Sequence, residues 1–306
     1  MLENLLFRPP TPDDAEETLA LMIRCDISEY GEPDSEMEEL VNDWENIDLE
    51  EDAWLAFDVQ NKLIGYAAIT PWGEHLKYDM YVEPDMDGSE LVRALLVRCE
   101  ERGAKIAETK KFANAVSYIA HVDQQTEAAL VEAGFQTVSH VFNMQATFDA
   151  PPPAPKLPKD MSIRTVASGE DYRKIHEVIQ SAFDRPGRTP QPFDEWKNFM
   201  MRPNIFKPDL WFLAMSGTEI VGTCLCFEYS ETDTGWVRQL GVLEPMRRTG
   251  LGSALLQHAF VEFYNRGFKK VGLAVSADNL RAISFYENAG MKQLRRYDEY
   301  VKAFST

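Results

Sequence analysis

Arg247-Arg248-Thr249-Gly250-Leu251-Gly252-Ser253 sets two fixed positive charges beside two glycines at a strand-to-helix junction. A strand-like run, Trp236 to Leu243, precedes it, and a helix-like run, Ala254 to Arg266, follows. The first turn of a helix carries backbone N–H groups with no intrahelical acceptor, and its dipole favours negative charge. Glycines there let a ligand approach the backbone without a Cβ in the way. Such a junction suits a phosphate or pyrophosphate. It is not a P-loop, because no Gly-Lys-Ser/Thr follows, and the third glycine of the dinucleotide fingerprint is missing.

Downstream stands Asn279-Leu280-Arg281-Ala282-Ile283-Ser284-Phe285-Tyr286-Glu287-Asn288-Ala289-Gly290-Met291. The intervening residues suit a helix (254–266) and a strand (269–275), and the segment itself suits a second helix (280–289). The loop resembles the acyl-CoA pyrophosphate loop of the GNAT acyltransferase superfamily, Arg/Gln-x-x-Gly-x-Gly/Ala, at Arg247, Gly250 and Gly252. The second segment resembles that family's Asn-x-x-Ala-x-x-Phe-Tyr-x-x-x-Gly-Phe, with Met291 in the last apolar slot.

That resemblance implies an N-acetyltransferase. It would move an acetyl group from acetyl-CoA to a primary amine by direct attack in a ternary complex. Strand residues Leu240, Gly241 and Val242 would splay from their neighbour and offer backbone groups to the pantetheine arm, as a sheet edge takes a peptide. Arg247, Arg248, Thr249, Gly250, Leu251, Gly252 and Ser253 would hold the pyrophosphate. Asn279 either contacts the pantetheine or caps the helix that carries Tyr286. Tyr286 would protonate the leaving thiolate, and a phenol of pKa ~10 is protonated at neutral pH. Many relatives place a glutamate on the strand before the loop; here that strand has none, so Glu228 is the candidate base. Glu231, Asp233 and a water chain stay open. Arg238, in place of an acid, either pairs with a substrate carboxylate or makes a structural ion pair. His258 reads as a surface or interhelix residue. Substrate choice is assigned to Phe183–Pro208, with Phe193 and Trp196 as pocket walls or core, and one face of Arg295–Tyr300 as a second contributor.

The chain has 306 residues, about right for two domains of ~150. Asp149 to Asp160 is a proline-rich linker, extended and unfit for a sheet interior. The parts on either side look alike. Each opens on a short strand and a helix (6–8 into 13–24; 162–164 into 169–183). Each continues with strands 53–57, 63–69 and 78–84, or 210–214, 220–226 and 239–245. Each then has a long helix, 90–102 or 253–266, with Gly103 or Gly267 as the expected C-cap. Ala133-Gly134-Phe135 echoes Ala289-Gly290-Met291, and both parts end on strands, 138–148 and 294–304. The fold expected is α/β, two tandem GNAT-like domains, each a mixed twisted sheet flanked by helices. The divisions are 1–148, a linker at 149–160, and 161–306.

The halves part ways at the chemistry. Opposite the Arg247–Gly252 loop the first half has Asp85-Met86-Asp87-Gly88, opposite Tyr286 it has Leu130, and opposite Asn279 it has Asp123. Two aspartates repel a pyrophosphate. The first domain therefore reads as one without a CoA site, a structural partner or one wall of the substrate cleft.

The net charge of −19 is uneven: residues 1–150 carry 10 Lys and Arg against 32 Asp and Glu. That excess opposes nucleic-acid binding. No run reaches the ~20 apolar residues of a membrane span, and Met1–Phe7 lacks a signal peptide's basic region and apolar core. The four cysteines match no zinc pattern; Cys224 and Cys226 share one face of a strand as packing residues. A cytoplasmic, reduced protein is expected, with no metal, no membrane and no nucleic-acid partner. Its oligomeric state is not given by the sequence. The leading reading is a small-molecule amine acceptor. A peptide or protein amine, and a CoA-binding sensor without turnover, are the alternatives.

Overall fold

The computed structural model describes residues 5–110, 112–167, 172–184, 188–203 and 205–304. In chain order these form β1 (Leu6–Arg8), α1 (Ala15–Tyr30), α2 (Met37–Glu45), α3 (Leu49–Asp52), β2 (Ala53–Phe57), β3 (Leu63–Trp72), β4 (His75–Val82), α4 (Ser89–Thr109), β5 (Asn114–Ala120), α5 (Gln124–Glu132) and β6 (Gln136–Thr147). After residues 148–160, without helix or strand, come β7 (Met161–Thr165), α6 (Tyr172–Ala182), α7 (Phe193–Met200), β8 (Trp211–Ser216), β9 (Glu219–Tyr229), β10 (Thr234–Val242), α8 (Leu251–Asn265), β11 (Lys270–Ser276), α9 (Leu280–Asn288) and β12 (Lys292–Ala303). Gly169, the expected start of α6, lies outside the described residues, as does Arg185-Pro186-Gly187.

Two compact units result: Met1–Phe142 with Ser276–Asp278 and Arg295–Thr306, and Asn143–Val275 with Asn279–Leu294. The chain's last strand thus gathers with the first unit, where Tyr297–Ala303 of β12 pairs antiparallel with β5. Buried Arg295 donates there to the carbonyls of Glu32 (2.8 Å) and Pro33 (2.6 Å). The Tyr297 hydroxyl donates to Asp34 at 2.5 Å. The face of this strand expected to reach the acceptor is instead spent on the first unit's own polar contacts.

Each unit is a mixed sheet flanked by helices. In the first unit β1–β2–β3–β4 run antiparallel, and β4 meets β5 parallel. In the second, β7–β8–β9–β10 run antiparallel, and β10 meets β11 parallel. Central strands β3 and β9 are buried at consecutive positions, on both faces of each sheet. Trp196, Trp211, Leu225 and Phe227 close the second unit's core on the α6–α7 side.

Two glycines carry the close packing. Helix α6 crosses β10 at Gly241, where a Cβ would sit 2.8 Å from that of Ala182. Gly103 does not cap α4 as expected. The helix runs on to Thr109, and Gly103 instead leaves room for the Tyr78 hydroxyl, 1.9 Å from where a Cβ would be. Gly267, φ +98°, does follow α8 in the left-handed conformation.

Candidate active site

Strands β10 and β11 pair only from Thr234↔Lys270 to Trp236↔Gly272, so beyond Trp236 the edge of β10 faces away from β11. A bulge between Val237 and Gln239 in the β9 pairing falls in the same place. Bulges bend a strand and re-aim its side chains. Leu240, Gly241 and Val242 follow, still bonded to β9 at Cys224, Thr223 and Gly222.

The chain then turns through Arg247–Gly250 into α8. Arg248 (φ +66°) and Gly250 (φ +92°) are both left-handed, which is strained for Arg248 and free for glycine. Gly250 is the N-cap and supplies no side-chain cap. Thr249 turns its hydroxyl away, donating to the Met246 carbonyl at 2.8 Å. The N–H groups of Leu251, Gly252 and Ser253 are therefore left for a ligand. At Gly252 a Cβ would meet Phe285 and Val242 only at 3.7 Å.

Arg247 is engaged differently from expectation. Its Nε donates to the Val242 carbonyl (3.2 Å) and its Nη2 to the Ala182 carbonyl (2.9 Å). The guanidinium clamps the end of α6 to the end of β10, and exposed Arg248 is the cation left for an anion.

Helix α9 owes its position to both ends of the second motif. Asn279 is the N-cap, accepting from the Ala282 N–H at 3.2 Å. Gly290 (φ +92°) ends the helix, and Met291 is buried behind it. Between them Tyr286 packs edge-on to Phe285, ring centroids 5.1 Å apart. Burial, and secondarily the field of Cys224, pushes its phenol up to about 12. The hydroxyl has no hydrogen-bond partner among the described residues. Cys224 and Cys226 do share a face, Sγ to Sγ 3.6 Å, as buried free thiols.

Glu228 is a correction. It pairs with Lys207 and, at 3.0 Å, with Arg266, which also holds Asp209 (2.6 Å) and Glu262 (3.0 Å). It sits four residues along β9 from Cys224, about 13 Å at strand rise, at the closed end where β10 still pairs with β11. A carboxylate held by two cations is a structural anchor. Glu228→Gln should leave kcat within about twofold while costing about 1.5–3 kcal/mol of stability from lost charged hydrogen bonds. Thermal melts beside steady-state rates check this, and a kcat loss without destabilisation would restore the base.

Other expected pocket residues divide. Trp196 is fully buried core, Phe193 packs on it with His176, and Phe183 is exposed beside Gly241. His258 of α8 packs edge-on against Phe212 of β8, a helix-to-sheet contact in place of the expected surface or interhelix one.

The first unit repeats the frame with different residues at the corresponding places. Its β4–β5 pairing likewise stops early, at Lys77↔Val116. There, however, Asp87 accepts from the Ser89 N–H at 3.2 Å, so a carboxylate already occupies the helix N-terminus. Leu130 is core, and Asp123 caps α5 as Asn279 caps α9.

A splayed parallel pair feeding an uncapped glycine helix start, with a phenol on the next helix, defines an acyl-CoA-dependent acyltransferase. Residues 172–291 match the acetyltransferase (GNAT) family. A GCN5-related N-acetyltransferase from Sphaerobacter thermophilus superposes with TM-score 0.84 at 31% identity, over 99% of this chain and 96% of that one. The chain belongs to the GCN5-related N-acetyltransferase family. A tandem GNAT protein from the clavulanic acid biosynthesis pathway shares the fold across 99% of both chains, TM-score 0.74 at 15% identity. The mycothiol acetyltransferase of Thermobispora bispora is 27% identical over 75% of this chain and 77% of its own length. That of Streptomyces coelicolor is 30% identical over 45% of each. No described helix is long and apolar enough to cross a membrane.

Proposed function

We propose that the second unit transfers an acetyl group from acetyl-CoA to the primary amine of a small molecule, in a ternary complex. The observation that carries this is the uncapped start of α8 beside the open edge of β10, with the unpartnered Tyr286 hydroxyl on α9. The backbone of Leu240, Gly241 and Val242 pairs with the pantetheine amides and polarises the thioester carbonyl. The N–H groups of Leu251, Gly252 and Ser253, with Gly250, Thr249 and Arg248 around them, hold the pyrophosphate. Arg247 keeps that loop in register by its two carbonyl bonds. Asn279 acts through α9, as its cap.

The amine lone pair attacks the thioester carbon, the carbonyl electrons move to oxygen, and their return breaks the C–S bond. Tyr286 gives its proton to the departing sulfur. With no carboxylate on β10, the amine's proton leaves to water. Relatives named for mycothiol, a small molecule, favour a small acceptor. Amine-dependent thiol release from acetyl-CoA, measured across amines, aminosugars, amino acids and peptides, tests the reading. Release tied to a small amine supports it; release only with peptides favours the second enzymatic reading. CoA binding without release favours a sensor, for which the carboxylate-free β10 speaks.

A further inference from the structure

We infer that the acceptor carries an anionic group, a carboxylate, beside its amine, and that Arg238 and Gln239 of β10 receive it. This rests on the acetyltransferase reading of the cleft and adds the class of its acceptor.

The bulge between Val237 and Gln239 places these two residues side by side, immediately after the parallel pairing with β11 ends. Both reach toward α7. The Arg238 guanidinium lies 4.7 Å from the Phe199 ring centroid, and Gln239 Oε1 accepts from Trp196 Nε1 at 2.9 Å. Arg202 stacks over the same Phe199 ring at 4.8 Å.

Arg238 has neither a carboxylate nor a carbonyl partner among the described residues. Elsewhere in this unit the comparable arginines are engaged, Arg266 by three carboxylates and Arg247 by two carbonyls. A half-buried guanidinium facing only a ring keeps its planar fork of donors unspent, and that fork matches a carboxylate.

The neighbouring amide points the same way. An indole N–H only donates, so Trp196 fixes Gln239 with its oxygen inward and its NH2 outward. That NH2 has no partner among the described residues. A guanidinium and an amide NH2, adjacent and both donating, form a cradle for two carboxylate oxygens. The cradle lies on the strand whose next residues carry the thioester, so an acceptor anchored there presents its amine to the acyl carbon.

The test uses matched acceptors, amino acids against their primary amides, with thiol release from acetyl-CoA as readout. The enzymes are the wild type, Arg238→Gln, Arg238→Lys and Gln239→Glu. Gln239→Glu keeps the Trp196 bond but sets a negative charge in the cradle. The wild type should favour acids over amides by at least about tenfold in kcat/KM. Arg238→Gln and Gln239→Glu should bring that ratio near one, Arg238→Lys should retain part of it, and CoA affinity should stay within twofold in all three. A ring-packing role alone would not move the acid-to-amide ratio. Equal use of acids and amides by the wild type, or a ratio unchanged in both Arg238→Gln and Gln239→Glu, overturns the cradle and leaves the acetyltransferase reading standing. CoA binding with no amine-dependent release from either series removes that reading, and the cradle with it.

Discussion

Gly252→Asp should stabilise the fold and abolish CoA binding. Gly252 is the second residue of α8, and a Cβ there has ordinary contact distance to Phe285 and Val242. Replacing a helical glycine recovers about 0.5–1 kcal/mol, and an acid in the first turn adds about 0.3–1 kcal/mol through the dipole. The same carboxylate would face the pyrophosphate. At ~5 Å and an effective dielectric constant of ~20, each phosphate charge is opposed by about 3 kcal/mol. A dissociation constant raised at least ~100-fold, with an unchanged or higher Tm, is the expected pair of results from calorimetric titration and thermal melting. The two readouts move in opposite directions, so misfolding cannot imitate the outcome. A dissociation constant within threefold of wild type would mean that the start of α8 does not seat the pyrophosphate. The first unit also carries a carboxylate at the corresponding helix start, on the residue before the N-cap Gly88, where Asp87 accepts from the Ser89 N–H of α4.

What the sequence made legible was local. Strand and helix order follow from apolar periodicity, and Gly267 and Gly290 mark helix ends because left-handed backbone falls to glycine. The loop at Arg247–Ser253 and the segment at Asn279–Met291 were visible because their glycine, cap and aromatic positions each fall in one short contiguous stretch of chain. Partnerships across distance were not. Gly103 has the look of a cap until Tyr78, on another element, is found filling its missing side chain. Glu228 reads as a free strand-end acid because its cations, Lys207 and Arg266, stand 21 and 38 residues away. The guanidinium of Arg247 has the type and place of a phosphate ligand, yet the carbonyl of Ala182, 65 residues off, claims it. Alternation marks 294–304 as a strand but cannot name its neighbour, which is β5. Trp196 was read as pocket wall or core within 183–208, and its bond to Gln239, 43 residues on, was not legible.

Tyr286→Phe should lower kcat by about 10²–10⁴-fold, the span of a lost general acid, with CoA affinity within twofold. The ring remains, so its packing on Phe285 and the cap of α9 by Asn279 remain with it. Only the hydroxyl, and with it the transferable proton, is removed. Its pH behaviour provides a second test. Burial disfavours the phenolate, which raises the phenol to about 12, above the ordinary ~10. The acid form therefore persists through pH 10, and the wild-type rate should lose this group's contribution only as pH climbs through about 12. A wild-type rate that falls with an apparent pKa near 10, where that of Tyr286→Phe does not, would contradict the raised phenol. Leaving-group protonation also matters less as the thiol becomes a better leaving group. Acyl donors built on more acidic thiols should accordingly recover much of the activity lost in Tyr286→Phe. A CoA-binding sensor has no turnover for this substitution to slow. A kcat equal to wild type would move the proton to water and leave Tyr286 as a wall of the thioester pocket.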